Sequence, residues 1–245
     1  KKHMSELLLL RFGNSDATGE PIWNKLRMGV GPSTLVASLV FLASLVVSIT
    51  LALLIAYYRG TYLDVWGVFL CVLIMSITYL VYIIGGQYIL GKLLRYLPLA
   101  GYTRGFGAMK FALLPMAIGL VSALGSEVRF YRTIMLEEMN QDYVRTARAK
   151  GVSEQAVLFK HVLKNASIPI LTRTVLSLPF IMMGSIVLES FFGIPGLGSM
   201  TVDAINSQDF AVVRAMVFLG TILYIIGAAL TDICYALVDP RVRLE

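Results

Sequence analysis

With 57% hydrophobic and only 15% charged residues in 245, and a mean hydropathy of +0.76, the chain is far more apolar than soluble domains, where charged residues make up about 25%. That excludes an ordinary water-soluble enzyme and predicts a multi-span membrane protein. The net charge of +6 does not point to nucleic acid, because the aromatic residues lie inside apolar runs and not along a basic stripe. An anionic membrane surface or an acidic protein partner accounts for it.

No polar linker separates two cores, so a single domain is expected. Residues 1–31 are mixed: an apolar scrap, Leu7 to Leu10, then a polar run with Gly13, Asn14, Asp16, Gly19 and Pro21. This segment is too short to span and lacks the layout of a secretory signal, so it reads as extramembrane. From Ser33 to Tyr58 there is no charge, enough for one crossing of roughly 30 Å at about 1.5 Å per residue, with Pro32 placed in the first turn. Arg59-Gly60 ends this span and Asp64 starts the next, which runs uncharged from Val65 to Leu90. Cys71 there, and Cys234 later, sit in apolar segments without metal-ligand spacing and read as packing residues.

Gly86 to Lys92 matches the glycine and lysine spacing of a phosphate-binding loop. Leu93 stands where Ser or Thr should hold magnesium, and a membrane span precedes it in place of a short strand. The stretch reads as a helix end. Phe111 to Ser126 is the third apolar run, with Pro115 near its start, and its helix should continue past Glu127 toward Arg129 and Arg132. A fourth run, Ile168 to Phe192, carries Pro179 inside it, which predicts a kink. A turn-rich external segment follows at 193–211, then a last run from Val212 to Leu237 and a short tail.

Between the third and fourth runs lies the longest polar interval, Gln141 to Leu163. Its pattern is helix, break, helix. Ala147 and Ala149 favour the first piece, Gly151 its C-terminal cap, and Ser153 the N-cap of the second, with Glu154 and Gln155 in the first turn. Val152, Ala156, Phe159 and Leu163 recur at helical spacing as one apolar face. Arg145, Arg148, Lys150, Lys160 and His161 outnumber Asp142 and Glu154. A basic helical hairpin hung between spans suggests a docking element for a cytosolic partner. Lysine and arginine placement agrees: this interval is rich in them, residues 193–211 have none, and the hairpin and tail are therefore assigned to the cytoplasm. Lys92, Arg95, Arg104 and Lys110 run against that rule in a loop assigned outside. Five spans with a cytoplasmic C-terminus put the N-terminal segment outside, which predicts one more span before Lys1.

The hairpin resembles the cytoplasmic coupling loop of permease subunits of binding-protein-dependent ABC importers, in particular the peptide and nickel group. The resemblance is carried by Asp142-Tyr143-Val144-Arg145-Thr146-Ala147-Arg148-Ala149-Lys150-Gly151 and His161-Val162-Leu163-Lys164-Asn165-Ala166. It continues through Gly184-Ser185-Ile186-Val187-Leu188-Glu189, Phe192-Gly193-Ile194-Pro195-Gly196-Leu197-Gly198 and Tyr235-Ala236-Leu237-Val238-Asp239-Pro240-Arg241. Phe12-Gly13-Asn14-Ser15 is similar to the segment after the first span in the subunit type with an external insertion. The family loop's glutamate falls on Arg145, its alanines on Thr146 and Ala147, and its later Ile and Pro on His161 and Lys164.

The resemblance implies an all-α membrane protein, a polytopic helical bundle of the type I ABC importer permease (MetI-like) fold. It divides the chain into the extracytoplasmic segment 1–31 and a transmembrane domain at 32–245, with the coupling loop at about 137–167. It further implies a homologous second permease, two cytosolic ATPases that bind ATP and magnesium, an external substrate-binding protein, and a bacterial or archaeal plasma or inner membrane. On this chain itself no cofactor, no nucleic acid and no catalytic residue is expected. The substrate class implied is di- or oligopeptides, with nickel chelates or antimicrobial peptides as alternatives. A secondary transporter and a membrane scaffold are the rivals from other classes, and no acid–base chain at mid-span favours the former.

The coupling residues expected are Asp142, Tyr143, Arg145, Thr146, Ala147, Arg148, Ala149, Lys150, Gly151, Val152, Ser153, Ala156 and Phe159. For the substrate path or gate the candidates are Glu189, Pro179, Met183 and Phe192. Intramembrane acids are costly against lipid, so Glu189 should line a cavity, meet a peptide amino terminus, or pair with Arg214. Asp232, near the opposite face, reads as structural.

Overall fold

The computed structural model describes residues 12–103, 105 and 107–238, with side chains to Cys234. The scrap Leu7–Leu10, Arg104 and the tail from Asp239 lie outside the described residues. All named elements among the described residues are helices, as lipid demands of a spanning chain that cannot close a barrel.

Helix α1, Ile22–Tyr57, begins upstream of the uncharged run, so Pro32 stands in the helix interior and not in its first turn. Lacking an N–H, Pro32 leaves the carbonyl one turn earlier without its helical partner. Gly60, with φ +79°, reverses the chain into α2, Tyr62–Ser76. The second apolar run is not one straight span. Helix α3, Tyr79–Leu93, follows α2 after a bend of 90°. At that bend the Tyr82 hydroxyl donates to the Ile74 carbonyl at 2.8 Å, replacing a partner that the break removes. The stretch Gln87–Leu93 is helical, as the sequence reading of Gly86 to Lys92 requires, and no phosphate-cradling loop forms there.

Helix α4, Gly107–Met139, continues well past Glu127. It packs along α1 and against α2 at small residues. A Cβ on Gly119 would lie 2.9 Å from Val40, and one on Gly125 would lie 2.7 Å from the Cys71 carbonyl. Such close backbone approach is how helices associate where lipid removes the usual hydrophobic drive. Asp64, nearly buried at the start of α2, accepts from Arg132 Nε at 2.9 Å and Nη2 at 2.6 Å. The pair ties α2 to α4 and is invisible in the linear spacing.

After the short α5, Asp142–Ala149, comes α6, Glu154–Met183. Its turns widen over Val157–Val162 and tighten over Leu178–Met183. The fourth apolar run therefore ends as a span at Met183. Pro179 stands where the helix tightens, and Gly184, at φ +66°, breaks the chain. Beyond it lie α7, Ile186–Phe192, and α8, Leu197–Asn206, a helix within the segment expected to be turns. Helix α9, Phe210–Val238, closes the bundle.

Among the described residues, α1, α4, α6 and α9 are each long and apolar enough to cross a membrane, and the bent α2–α3 pair brings the number to five if counted as one span. Large apolar side chains such as Val46, Trp66, Val81 and Val217 face outward on them, the inside-out pattern of a lipid-facing surface.

Candidate functional site

The structure builds two specialised regions, at opposite ends of the spans. At one end α5 and the start of α6 form a rigid elbow. Its hinge is a Schellman cap: Gly151 N–H donates to the Arg148 carbonyl at 2.9 Å, and Val152 N–H to the Ala147 carbonyl at 3.2 Å. This closure needs a left-handed residue, and Gly151 has φ +76°. Ser153 then caps α6, its hydroxyl accepting from the Ala156 N–H at 3.4 Å. Across the break Arg148 grips Glu154 with both arms, at 2.8 and 3.1 Å.

The elbow's inner face is core. Val144 and Ala147 pack with Val157, Leu158 and Val162 onto Tyr131, Ile134 and Met135 of α4. This corrects the expected apolar face: Val152, Ala156 and Leu163 are half-buried, and Phe159 points out, 60% exposed. The widened turns rotate the register by about one residue relative to an ordinary helix, which carries Val157 and Leu158 inward in place of Phe159. Tyr143 donates to the Glu138 carboxylate. Burial, with that hydrogen bond behind it, pushes the Tyr143 phenol up to about 12, so it remains a donor at neutral pH. Outward stand Asp142, Arg145, Thr146, Arg148, Ala149, Lys150 and Lys160 beside Phe159, an apolar knob in a polar and largely basic rim.

At the other end Glu189, 1% exposed, meets the start of α8. Gly196 occupies the N-cap position there and has no side chain to offer. Glu189 supplies the missing acceptor from outside the helix: its Oε2 takes the N–H of Gly198 at 2.8 Å and of Ser199 at 3.2 Å. The Ser33 hydroxyl of α1 takes the N–H of Leu197 at 2.7 Å. The first three amides of α8, normally orphans, are thus satisfied by two other elements, and the carboxylate sits where the helix dipole favours it. Three glycines make room. A Cβ on Gly184 would fall 1.8 Å from Glu189 Oε1, one on Gly196 2.2 Å from Oε2, and one on Gly198 2.9 Å from Oε2.

Glu189 therefore does not pair with Arg214, whose Nε donates to the Phe210 carbonyl at 3.2 Å. Phe192 is buried with Leu188 and Ile194. Pro179 is buried against α9, 3.2 Å from where a Cβ on Gly227 would lie. Met183 is half-buried beside the α1–α8–α9 cluster. Of the four path candidates, Glu189 borders the cavity described below. The sequence signal overlooked was Gly196 itself: a glycine at a helix start with no capping side chain demands an acceptor from elsewhere, and Ser33 and Glu189 are two of the polar residues in the neighbouring apolar runs.

The junction divides two spaces. On the side away from the elbow is a vestibule of about 870 Å³ bordered by Lys25, Arg27, Gly29, Pro32, Gly196 and Asp203. On the side facing the elbow lies a smaller cavity of about 230 Å³, bordered by Val40, Ser44, Glu127, Gly184 and Glu189. The vestibule rim is held by residues 12–21, which fold back onto α9. Asp209 accepts from the Ser15 hydroxyl and from the Asp16 N–H at 3.1 Å, while Asp16 accepts from the Ala211 N–H at 3.0 Å.

Comparison with known proteins agrees with this architecture. Residues 48–244 match the family described as "Binding-protein-dependent transport system inner membrane component". The chain is 34% identical over 245 residues to a "Probable peptide ABC transporter permease protein" of Sinorhizobium fredii, covering 98% of this chain and 78% of that one. It is 41% identical over 138 residues to the "Oligopeptide transport system permease protein AppB" of Bacillus subtilis, covering 56% of this chain and 44% of that one. A multi-pass helical bundle with lipid-facing spans and a family match over most of its length establish that the chain belongs to the inner membrane components of binding-protein-dependent transport systems.

Proposed function

We propose that this chain is one half of the pore of an ATP-driven peptide importer, and that its elbow seats on a separate ATPase subunit. The observation that carries the reading is the two-sidedness of the elbow: the inner face is continuous with the core of α1, α4 and α6, while the outer face carries exposed Phe159 within a basic rim. A partner that pushes on Phe159 pushes on α4 and α6 together, because close-packed side chains transmit displacement with little compliance. The basic rim sets register with acidic side chains on the ATPase and contributes little energy, about 0–1 kcal/mol per exposed pair.

ATP and magnesium belong to the partner in this scheme, and the chain itself catalyses nothing. A second, homologous permease completes the pore, and a binding protein delivers substrate to the vestibule above the Ser33–Glu189 junction. Peptide as substrate is supported by what the relatives are named.

The test is crosslinking in the assembled transporter. Single cysteines at Ala149 and Phe159 are expected to crosslink to an ATPase subunit, and a cysteine at Asp203, beside the vestibule, is expected not to. Crosslinks from Asp203 and none from the elbow overturn both the orientation and the coupling role. Uptake of labelled peptide by proteoliposomes holding the complete complex tests the substrate.

A further inference from the structure

Glu127 and Glu189 border the same small cavity, and no basic side chain is among its lining residues. Glu127 lies in α4 at the end of the uncharged run, and its carboxylate is held by the Ser48 hydroxyl at 3.0 Å and more loosely by Ser44 at 3.5 Å. Glu189 uses Oε2 to cap α8. Its Oε1 is buried and has no hydrogen-bond partner, and it is turned toward Gly184, a residue of the cavity wall. A buried acceptor with no donor is costly, on the order of 1–3 kcal/mol and more when charged. Two acids at membrane depth on a wall whose lining holds no basic side chain offer a place for a cation from outside the chain.

The cavity's shape selects the kind of cation. Among the described residues no group of three or more metal-binding side chains occurs, so a divalent metal lacks a ligand set. Ser44, Tyr79 and Ser185 add hydroxyls beside the two acids, and the rest of the wall is apolar, including Val36, Val40, Phe41 and Leu188. At about 230 Å³ the space is below the roughly 300 Å³ where sites for whole small molecules begin. It takes one end of a ligand: a charged head between the two carboxylates and a short apolar body against the walls.

We propose that this cavity is a way-station for the primary ammonium of a passing peptide, which Glu127 receives after the substrate has cleared the Ser33–Glu189 junction. The proposal rests on the peptide reading above. Glu127 is the movable ligand, held only by serine hydroxyls, whereas Glu189 is fixed by the amides of α8. An ammonium presents three donors: enough for Glu127, for Glu189 Oε1 and for the Ser44 hydroxyl.

The experiment uses the complete importer in proteoliposomes, with three probes: a lysine-free peptide with a free amino terminus, its N-acetyl form, and the N-acetyl form carrying one lysine. For each protein the readout is the ratio of free-amine to N-acetyl uptake, which cancels differences in protein amount and in the binding protein's own preference when variants are compared. Glu127→Gln is expected to shrink the wild-type ratio by about tenfold, the scale of one charge-assisted hydrogen bond. Glu127→Asp is expected to retain most of it. Ala123→Leu, which fills the cavity without touching a charge, is expected to shrink it as well, and keeps the test alive if the glutamine variant fails to assemble. Uptake of the lysine form at the free-amine level means that any primary ammonium is read; uptake at the N-acetyl level means that only the amino terminus is. A ratio unchanged in both Glu127→Gln and Ala123→Leu overturns the amine site and leaves peptide transport standing. No uptake of any peptide by the wild type overturns the peptide reading, and the amine site with it.

Discussion

The elbow and the outer junction solve the same problem in opposite ways. Each follows a left-handed glycine that ends a helix, Gly151 or Gly193, and each must then satisfy the amides of the helix that follows. The elbow uses its neighbours: Ser153 caps Ala156, and Arg148 reaches Glu154 six residues on. The junction reaches across the fold, with Ser33 capping Leu197 over a separation of 164 residues and Glu189 capping Gly198. A locally capped break keeps its shape while the spans around it move. One capped by distant elements holds only while α1, α7 and α8 stay together. On the reading proposed above, the first transmits force and the second comes apart as a gate.

The largest effect should follow from attacking the distant cap. Glu189→Ala strips the buried amides of Gly198 and Ser199 of their acceptor, and about 3 kcal/mol of stability should be lost. Gly184→Ala should be comparably severe, since its Cβ meets Oε1 at 1.8 Å and the residue has φ +66°. Gly31→Ala is the control: it lies in α1 with nothing within 4 Å and should be neutral or slightly stabilising. Gly196 has the extended backbone of a normal N-cap, φ −108° and ψ −174°, but a Cβ there would lie 2.2 Å from Glu189 Oε2 and 2.4 Å from Ser33 Oγ, so a serine there can cap α8 itself only once both side chains are gone. Gly196→Ser added to Glu189→Ala with Ser33→Ala should therefore recover about 1 kcal/mol relative to that pair alone, although Gly196→Ser in the wild type is destabilising through its clashes with Oε2 and Ser33 Oγ. Thermal unfolding of the purified protein in detergent reads all of these variants, and strict additivity of Gly196→Ser with the removal of Glu189 and Ser33 refutes the cap.

Which parts were legible in the sequence follows from the same contrast. Signals of short range survive a linear reading, so the Gly151 turn, the Ser153 cap, the continuation of α4 beyond Glu127 and the helical Gly86–Lys92 stretch all stand in the structure as read. Signals that depend on a second element do not. Nothing near Asp64 announces Arg132, and nothing near Glu189 announces Ser33. Hydropathy also hides breaks, because a broken stretch is as apolar as a straight one: Val65–Leu90 and Ile168–Phe192 each read as one crossing, and each is broken, at Ile77–Thr78 and at Gly184. The outward turn of Phe159 was hidden for a different reason, since a widened turn shifts a helical face by a residue without any mark in composition.

A smaller effect separates hinge from rim at the elbow. Gly151→Val forces a β-branched side chain into φ +76° although no neighbour lies within 4 Å, so its cost is backbone strain alone, about 1–2 kcal/mol. That tilts the angle between α5 and α6, and peptide transport should fall about tenfold while ATP hydrolysis by the partner continues. Lys150→Ala removes an exposed charge next door and should change transport by less than about twofold. Equal losses in the two variants contradict the lever.

The smallest effect concerns the vestibule rim and is read by pH. Asp209 is buried, which raises its carboxyl, but hydrogen bonds from Ser15 and from the amides of Val212 and Asp16 outweigh burial and hold it below the ordinary aspartate value. A carboxyl lowered on folding adds stability that is present above its unfolded pKa and lost as pH falls through the folded one. Acidification below about pH 4 should therefore loosen residues 12–21 from α9 before the spans unfold. Hydrogen exchange at the Asp16 and Val212 amides measures it directly. In Asp209→Asn the side chain no longer titrates, so those amides should exchange faster at neutral pH and lose the acid-dependent step. A step that persists in Asp209→Asn assigns the acid sensitivity to another group and removes Asp209 as the clasp.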